Sequence, residues 1–145
     1  GLSVTHVKPG EPLDKAMREN FADHKEPLMI QPFLPEVRTG DRRIILIDGE
    51  VGGIMARIPA EEDFRANFRV GGHAESATIT KRQQEICEAL KPELKRHGLI
   101  FAGIDCIGDY LTEINITSPT GLPAMNRLNG TNLQAQIWDA IERRL

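Results

Sequence analysis

The stretch GIDCIGDYLTEINIT, residues 103–117, carries the strongest structural signal in the sequence. Two apolar runs flank Gly108-Asp109-Tyr110, which predicts a hairpin with a three-residue turn centred on the middle residue of that triplet. In this register Asp105 faces Glu113 across the hairpin, and Asn115 lies on the same face, two residues further along. The stretch therefore predicts two antiparallel strands with a polar, acidic side.

Two carboxylates that face each other repel, so the hairpin needs a positive charge near them. One hypothesis is a divalent cation, because Asp105, Glu113 and Asn115 offer the hard oxygen ligands that suit Mg²⁺ or Mn²⁺. Since Mg²⁺ commonly shares its coordination with phosphate oxygens, a nucleoside triphosphate would be its natural companion. The other hypothesis is a solvated polar face paired with nearby lysines or arginines. A one-residue shift of the turn would no longer place Asp105 opposite Glu113.

The rest of the chain predicts an α+β fold, with hairpins rather than alternating βαβ units. A second hairpin turns at Asp48-Gly49, and Thr80 with Gln83 forms a capping box at a helix start. Thr131 with Gln134 is predicted to cap the last helix. Its apolar face would comprise Leu133, Ile137, Ile141 and Leu145. The predicted strands are 1–7, 28–31, 43–47, 51–58, 99–107 and 111–117, and helices are predicted to begin near residues 12, 80, 122 and 131.

Composition excludes some classes of function. The 145 residues fit one domain, and a formal net charge of −3 argues against a dedicated nucleic-acid binder. No apolar run approaches the roughly 20 residues that a membrane span needs. Cys87 and Cys106 are far apart and form no CxxC motif, which is typical of reduced thiols in a cytoplasmic protein.

Two arginines lie at the predicted open end of the second hairpin. Arg43 and Arg57 would approach each other there, and two guanidiniums repel unless an anion such as phosphate or carboxylate lies between them. The alternative is exposed charge on a sheet edge.

A long polar segment follows this hairpin, from Pro59 to Ala77. Its donors and glycines could close over an anionic intermediate and exclude water, or it could be a mobile loop without a role. The residues concerned are Arg65, Asn67, Gly71 and Gly72. No Walker A pattern and no Ser-His-Asp or Cys-His spacing is present.

Taken together, these segments resemble the bacterial glutathione synthetases, which belong to the ATP-grasp superfamily. The acidic hairpin indicates ATP-grasp in general, and the following Thr117-Ser118-Pro119-Thr120 narrows the resemblance to glutathione synthetase. The similarity covers nearly the whole chain in consistent order. The matching stretches are 31–36, 40–43, 48–50, 56–59, 71–72, 98–105 and 112–120.

The resemblance implies an ATP-grasp fold with a mostly antiparallel sheet flanked by helices. Residues 1–145 would be the C-terminal part of the ATP-grasp domain, while the N-terminal domain and the first part of the ATP-grasp domain would be absent from this chain. The chain alone would then be inactive or nearly so. The resemblance also implies a homo-oligomer. From its composition the protein is expected to be cytoplasmic and to bind neither nucleic acid nor membranes.

The resemblance also implies a reaction and a set of site residues. ATP would phosphorylate the carboxylate of γ-glutamylcysteine, and glycine would attack the acyl phosphate, giving glutathione, ADP and phosphate. Arg43 and Arg57 would hold the transferring phosphate, and Asp105, Glu113 and Asn115 would bind Mg²⁺ or Mn²⁺ on ATP. The other implied residues have binding roles. The adenine would lie along Gln31, Pro32, Phe33 and Leu34, and the nucleotide would lie near Asp41. A lid would be formed by Arg65, Asn67, Gly71 and Gly72, and the glycine end would be bound by Ser118 and Thr120.

Two other functions fit the same residues. Another ATP-grasp carboxylate-amine ligase would share the metal ligands and differ in the amine that it accepts. A non-catalytic nucleotide-binding module would retain the fold without turnover.

Overall fold

The computed structural model describes residues 5–24, 27–59 and 72–145. The chain divides into two compact units, Gly1–Pro35 and Glu36–Leu145. In the first unit, helix α1 spans Leu13–His24, and the predicted buried strand at 28–31 is wrong. Of the predicted strand at 1–7, residues 1–4 lie outside the described residues, and residues 5–7 form no strand. Met29 and Ile30 are exposed there, because a short apolar run between Pro27 and Pro32 finds no strand to pair with among the described residues.

The described residues of the second unit form one sheet of five strands, all antiparallel, which confirms the predicted α+β class with an antiparallel sheet. The strand order is β3-β2-β1-β4-β5, so β1 and β4 lie inside the sheet. The strand β3 falls within the long segment for which no strand was predicted. The bounds are β1 Asp41–Ile47, β2 Glu50–Ile58, β3 His73–Ser76, β4 Phe101–Ile107 and β5 Tyr110–Asn115.

Both hairpins have a two-residue turn, followed by a bulge in the returning strand. Asp48 and Gly49 have positive φ angles of 52° and 79°, as a type I′ turn requires, and Gly52 is the extra residue of β2. In the other hairpin Ile107 pairs with Tyr110, so the predicted three-residue turn is wrong. Thr112 is the extra residue of β5, and it restores the predicted pairing of Asp105 with Glu113.

Helices cover both faces of the sheet. Helix α2, Lys81–Arg96, begins with the predicted capping box and packs Ile86 and Leu94 against one face. Helices α3, Leu122–Asn129, and α4, Leu133–Glu142, pack against the other face through Met125 and Leu133. The sheet contributes fully buried residues to both clusters, including Ile44 and Ile104 on the first side and Ile45 and Met55 on the second.

The last helix differs from the prediction at both ends. Its N-cap is Asn132, whose side chain accepts a hydrogen bond from the Ala135 N–H, and not Thr131. Its apolar face includes Leu133, but α4 ends at Glu142 and Leu145 is fully exposed. Asn132 therefore takes the capping role predicted for Thr131, while the Leu133 N–H donates to Asn126 Oδ1.

Both thiols lie in the core and not in a site. Cys87 and Cys106 are free and buried on the side of the sheet that α2 covers, and burial raises the pKa of each to about 11. Among the helices that the structure describes, none is long and apolar enough to cross a membrane.

Candidate active site

A row of charged side chains crosses the sheet at the start of β1. Arg43 of β1 lies opposite Asp105 of β4, which lies opposite Glu113 of β5, and two residues earlier Asp41 lies opposite Arg57 of β2. The exposed fractions are 9% for Asp41, 5% for Arg43, 8% for Arg57 and 2% for Asp105. Such burial contradicts the hypothesis of exposed arginines on a sheet edge and places both guanidiniums inside the molecule.

Asp105 is the centre of this row. Arg43 binds it as a fork, with Nε 2.5 Å from Oδ1 and Nη2 2.8 Å from Oδ2. Arg57 Nη2 lies 2.8 Å from the same Oδ2. Two adjacent arginines require an anion between them, and in this structure that anion is the Asp105 carboxylate. Of the hypothesis of a solvated polar face paired with lysines or arginines, the pairing with arginines is found at this carboxylate, but Asp105 is buried and not solvated.

Arg57 has a second partner on its own hairpin. Its Nε and Nη2 donate to Asp41 Oδ1 and Oδ2, each at 2.7 Å. The four side chains form a chain of contacts from Arg43 through Asp105 and Arg57 to Asp41, with two positive and two negative charges. A buried ion pair is tolerated only where the geometry is good and the remaining polar atoms are satisfied, and both forks meet this condition.

The ionisation of this cluster follows from burial and its neighbours. Burial raises the pKa of Asp41 above its ordinary value, and the hydrogen bond and charge of Arg57 oppose that shift without cancelling it. Burial alone would lower the pKa of Arg57, but Asp41 and Asp105 together outweigh burial and raise it. Arg57 is therefore a permanent positive charge at the site.

The predicted cation ligands share one side of the β4–β5 hairpin. Asp105 pairs with Glu113 and Gly103 pairs with Asn115, so the register agrees with the prediction. Asn115 Nδ2 is buried and has no hydrogen-bond partner among the described residues. Turning the amide by half a rotation would put Oδ1 in its place, and an oxygen there suits a cation.

The donor chemistry therefore fits a hard cation. Within residues 5–24, 27–59 and 72–145, no three His, Cys, Asp or Glu side chains form a group that could hold a metal ion. The predicted ligands comprise only two carboxylates and one amide, those of Asp105, Glu113 and Asn115. That composition suits Mg²⁺ or Mn²⁺ sharing its coordination with phosphate oxygens.

The segment that follows β5 contacts the row of charged side chains through Arg43. The Thr120 carbonyl oxygen accepts a hydrogen bond of 3.3 Å from Arg43 Nη1. Pro119 is buried against the backbone of Gly103. Ser118 has a φ of 48°, in the left-handed region that non-glycine residues seldom adopt, and strained residues of this kind cluster at functional sites. Ser118 and Thr120 are exposed, as ligand-binding residues would be.

The remaining predicted site residues belong to the first unit, to the residues just before β3 or to the part of the chain that is not described. The proposed adenine contacts, Gln31, Pro32, Phe33 and Leu34, belong to the first unit, in which the Phe33 ring stacks on His6 with the centroids 4.0 Å apart. Arg65, Asn67 and Gly71 lie outside the described residues. Gly72 is described, half-buried, immediately before β3.

Three features of the site were not found from the sequence. All three depend on the strand register. They are the fork between Asp41 and Arg57, the bulge at Thr112 and the contact of Pro119 with Gly103. A bulge could have been suspected near the adjacent Gly52 and Gly53, since glycine in the interior of a strand is a common sign of one. Thr112 offers no such signal.

The comparisons with known proteins agree with this geometry. The family described as prokaryotic glutathione synthetase, ATP-grasp domain, matches residues 1–130. A glutathione synthetase of Brucella melitensis is 48% identical over 145 residues, covering 99% of this chain and 46% of the relative. One from Synechocystis is 46% identical over 144 residues, covering 99% of this chain and 45% of the relative. The chain thus spans about half the length of the curated relatives that it matches.

Solved structures support the fold. A D-alanine–D-alanine ligase from Bacillus anthracis, complexed with ATP, matches with a TM-score of 0.58 at 15% identity, covering 92% of this chain and 48% of that one. At this identity the likeness concerns the fold alone, and it agrees with the predicted ATP-grasp architecture. With 130 of its residues matched by one family and relatives of nearly 50% identity along its length, this chain belongs to the prokaryotic glutathione synthetases, in their ATP-grasp domain.

Proposed function

We propose that this chain is the C-terminal part of the ATP-grasp domain of a glutathione synthetase, which ligates γ-glutamylcysteine to glycine with ATP. The observation that carries the proposal is the identity of 45–50% to glutathione synthetases over 98–99% of this chain. The reaction would proceed through an acyl phosphate and release ADP and phosphate. Because the chain spans about half of these relatives, the remaining part of the site would come from residues beyond it.

In this proposal the charged row supplies electrostatic stabilisation. Arg43 and Arg57 would hold the phosphoryl group as it passes from ATP to the substrate carboxylate, and later the acyl phosphate. Asp105, Glu113 and Asn115 would hold Mg²⁺ or Mn²⁺, which neutralises negative charge on the ATP phosphates. No protein nucleophile is needed, because phosphoryl transfer depends mainly on positioning and charge.

The remaining roles concern binding and assembly. Ser118 and Thr120 would bind the glycine end, Gln31 to Leu34 the adenine, and the segment containing Arg65, Asn67, Gly71 and Gly72 would exclude water from the acyl phosphate. Asp41 would lie near the nucleotide. A cytoplasmic location, a homo-oligomeric state and the lack of nucleic-acid and membrane partners stay predictions.

The test is ADP release by the full-length protein with γ-glutamylcysteine, Mg²⁺-ATP and a panel of amines. We expect turnover with glycine, and a loss of at least about 100-fold in Asp105→Asn and Glu113→Gln, because a bound cation contributes several kcal/mol to charge stabilisation. Glu85→Gln, which neutralises an exposed carboxylate on α2, serves as the matched control and should change the rate little.

The other outcomes separate the alternatives. Turnover with a different amine, and not with glycine, would assign the protein to another ATP-grasp carboxylate-amine ligase. Nucleotide binding without turnover for any amine would favour a non-catalytic module and would contradict the proposal.

A further inference from the structure

We propose that Arg57 and a divalent cation are alternative partners of Asp105, and that Asp41 holds Arg57 in place for an anionic ligand once Asp105 has been released. Asp41 is then a positioning residue that acts through Arg57. This inference rests on the proposed function for the identity of the cation ligands. It adds to that function a coupling between cation binding and anion binding, which the Arg57 guanidinium would mediate.

The first argument is the crowding at one oxygen. Asp105 Oδ2 lies 2.8 Å from Arg43 Nη2 and 2.8 Å from Arg57 Nη2, while Oδ1 is held by Arg43 Nε. These contacts occupy three of the roughly four lone-pair sites of the carboxylate, and they place two positive charges where a cation would approach. We therefore expect a cation that binds Asp105 to displace one of these contacts.

The second argument is that the two arginines would lose different numbers of contacts on releasing Asp105. Arg57 would give up one contact and keep its fork to Asp41, with both distances at 2.7 Å. Arg43 would give up its whole fork and, among its partners in the described residues, keep only the 3.3 Å hydrogen bond to the Thr120 carbonyl. Since a buried charge without partners is costly, Arg57 is the one that yields.

The third argument is charge. The two arginines and two aspartates balance one another and Glu113 adds one negative charge, so a divalent cation bound at Asp105 and Glu113 leaves one excess positive charge. The Arg57 Nη2 N–H that had faced Asp105 also loses its acceptor while still buried, and a buried donor needs a new one. A phosphate or carboxylate oxygen meets both needs, because guanidiniums bind such groups strongly. Cation and anion should therefore favour each other's binding, and by the same factor in either order.

The first test compares Mn²⁺ affinity without nucleotide, measured from the EPR signal of free Mn²⁺ with the full-length protein. Arg57→Gln removes the competitor and is expected to bind Mn²⁺ about tenfold more tightly, the equivalent of one hydrogen bond to a charged group. Arg42→Gln removes the same charge one residue away, where the side chain points to the other side of the sheet beside Ala56 and Cys106. Affinities that rise equally in the two variants would overturn the proposal, since charge alone would then explain the effect.

The second test examines Asp41. With inorganic phosphate as the probe, Mn²⁺ should tighten phosphate binding in the unmodified protein, and Asp41→Asn should reduce that factor by about tenfold. Asp41→Glu, which keeps the charge, should recover part of it. An unchanged factor in Asp41→Asn would contradict a positioning role.

The third test needs no substitution, so it does not depend on whether a variant folds. In a crystal of the full-length protein with Mn²⁺ and phosphate, the distance from Arg57 Nη2 to Asp105 Oδ2 should exceed about 3.5 Å, the limit of a hydrogen bond, while the fork to Asp41 remains. Mn²⁺ on Asp105 with Arg57 still bound there would overturn the inference and leave the proposed function intact. No Mn²⁺ at Asp105 together with no glycine-dependent ADP release would overturn both.

Discussion

Gly103 shows how closely the site is packed at the scale of one residue. A Cβ atom placed there would lie 2.7 Å from Cβ of Pro119, closer than carbon atoms approach in folded proteins. The proline ring is rigid, so it could not turn aside. Displacing it would move Ser118 and Thr120, and with them the carbonyl that accepts from Arg43.

We therefore expect Gly103→Ala to cost about 1–3 kcal/mol of unfolding free energy, as overpacking usually does. It should also raise the KM for glycine more than the KM for ATP, because the displaced segment is the one proposed to bind glycine. Gly53→Ala is the matched control: its Cβ would lie 2.7 Å from Met125 Sδ, which belongs to a flexible side chain that can move. Urea denaturation and steady-state kinetics check both expectations, and equal effects of the two variants on the KM for glycine would contradict this account.

The residue scale also shows what the sequence could and could not predict. Asp105, Arg43 and Arg57 could be selected because each was predicted to face a like charge across a hairpin, and like charges repel unless an opposite charge lies near them. That Asp105 would be shared by both arginines could not be predicted, because sharing depends on distances of a few tenths of an ångström. The contact of Pro119 with Gly103 joins residues of two segments, and no local pattern reports it.

At the scale of elements, the two bulges decide which side of the sheet the returning strands present. Side chains alternate along a strand, so a single extra residue changes the face of everything beyond it. Gly52 does this for Arg57, and Thr112 does it for Glu113 and Asn115. Without the bulges the two-residue turns would direct Arg57 and Glu113 to the side that α2 covers, away from Asp41 and Asp105.

The hairpin β4–β5 also shows why a register can be predicted for the wrong reason. A three-residue turn and a two-residue turn with one bulge both place Asp105 opposite Glu113, and the chain uses the second. The apolar pattern constrains the final pairing, because Ile104 and Cys106 must reach the core. It does not specify where the extra residue is accommodated. Thr112 is suited to the bulge because its Oγ1 donates to the Asp105 carbonyl oxygen at 3.1 Å.

Length changes at the bulge provide a prediction at this scale. Deleting Thr112 removes the extra residue and keeps Glu113 opposite Asp105, so ADP release should persist, at a cost of about 1 kcal/mol in stability for the lost hydrogen bond. Inserting one alanine after Thr112 should turn Glu113 and Asn115 to the opposite face and abolish Mn²⁺ binding. EPR titration of Mn²⁺ and thermal unfolding measure the two effects. The prediction fails if the insertion binds Mn²⁺ as well as the deletion does.

At the scale of the whole molecule, the predicted hairpins and the helices of Glu36–Leu145 were largely correct, whereas the apolar run at 28–31 was not. The difference is one of context. Strands β1 and β4 are flanked by strands on both sides and covered by helices, so their apolar pattern and their environment agree. The four residues from Leu28 have the pattern without a partner strand among the described residues, and pattern alone cannot distinguish the two cases.

The same division predicts where the folding stability lies. Every residue of both core clusters falls between Ile44 and Ala140, which is inside the second compact unit. A protein containing only residues 36–145 should therefore fold by itself and unfold cooperatively on heating, with near-native circular dichroism below the transition. As a control, replacing Ile104, which is fully buried at the centre of one cluster, by alanine in this shorter protein should cost about 2–5 kcal/mol. A broad, non-cooperative transition of residues 36–145 would show that the sheet and its helices depend on residues before Glu36 for their stability.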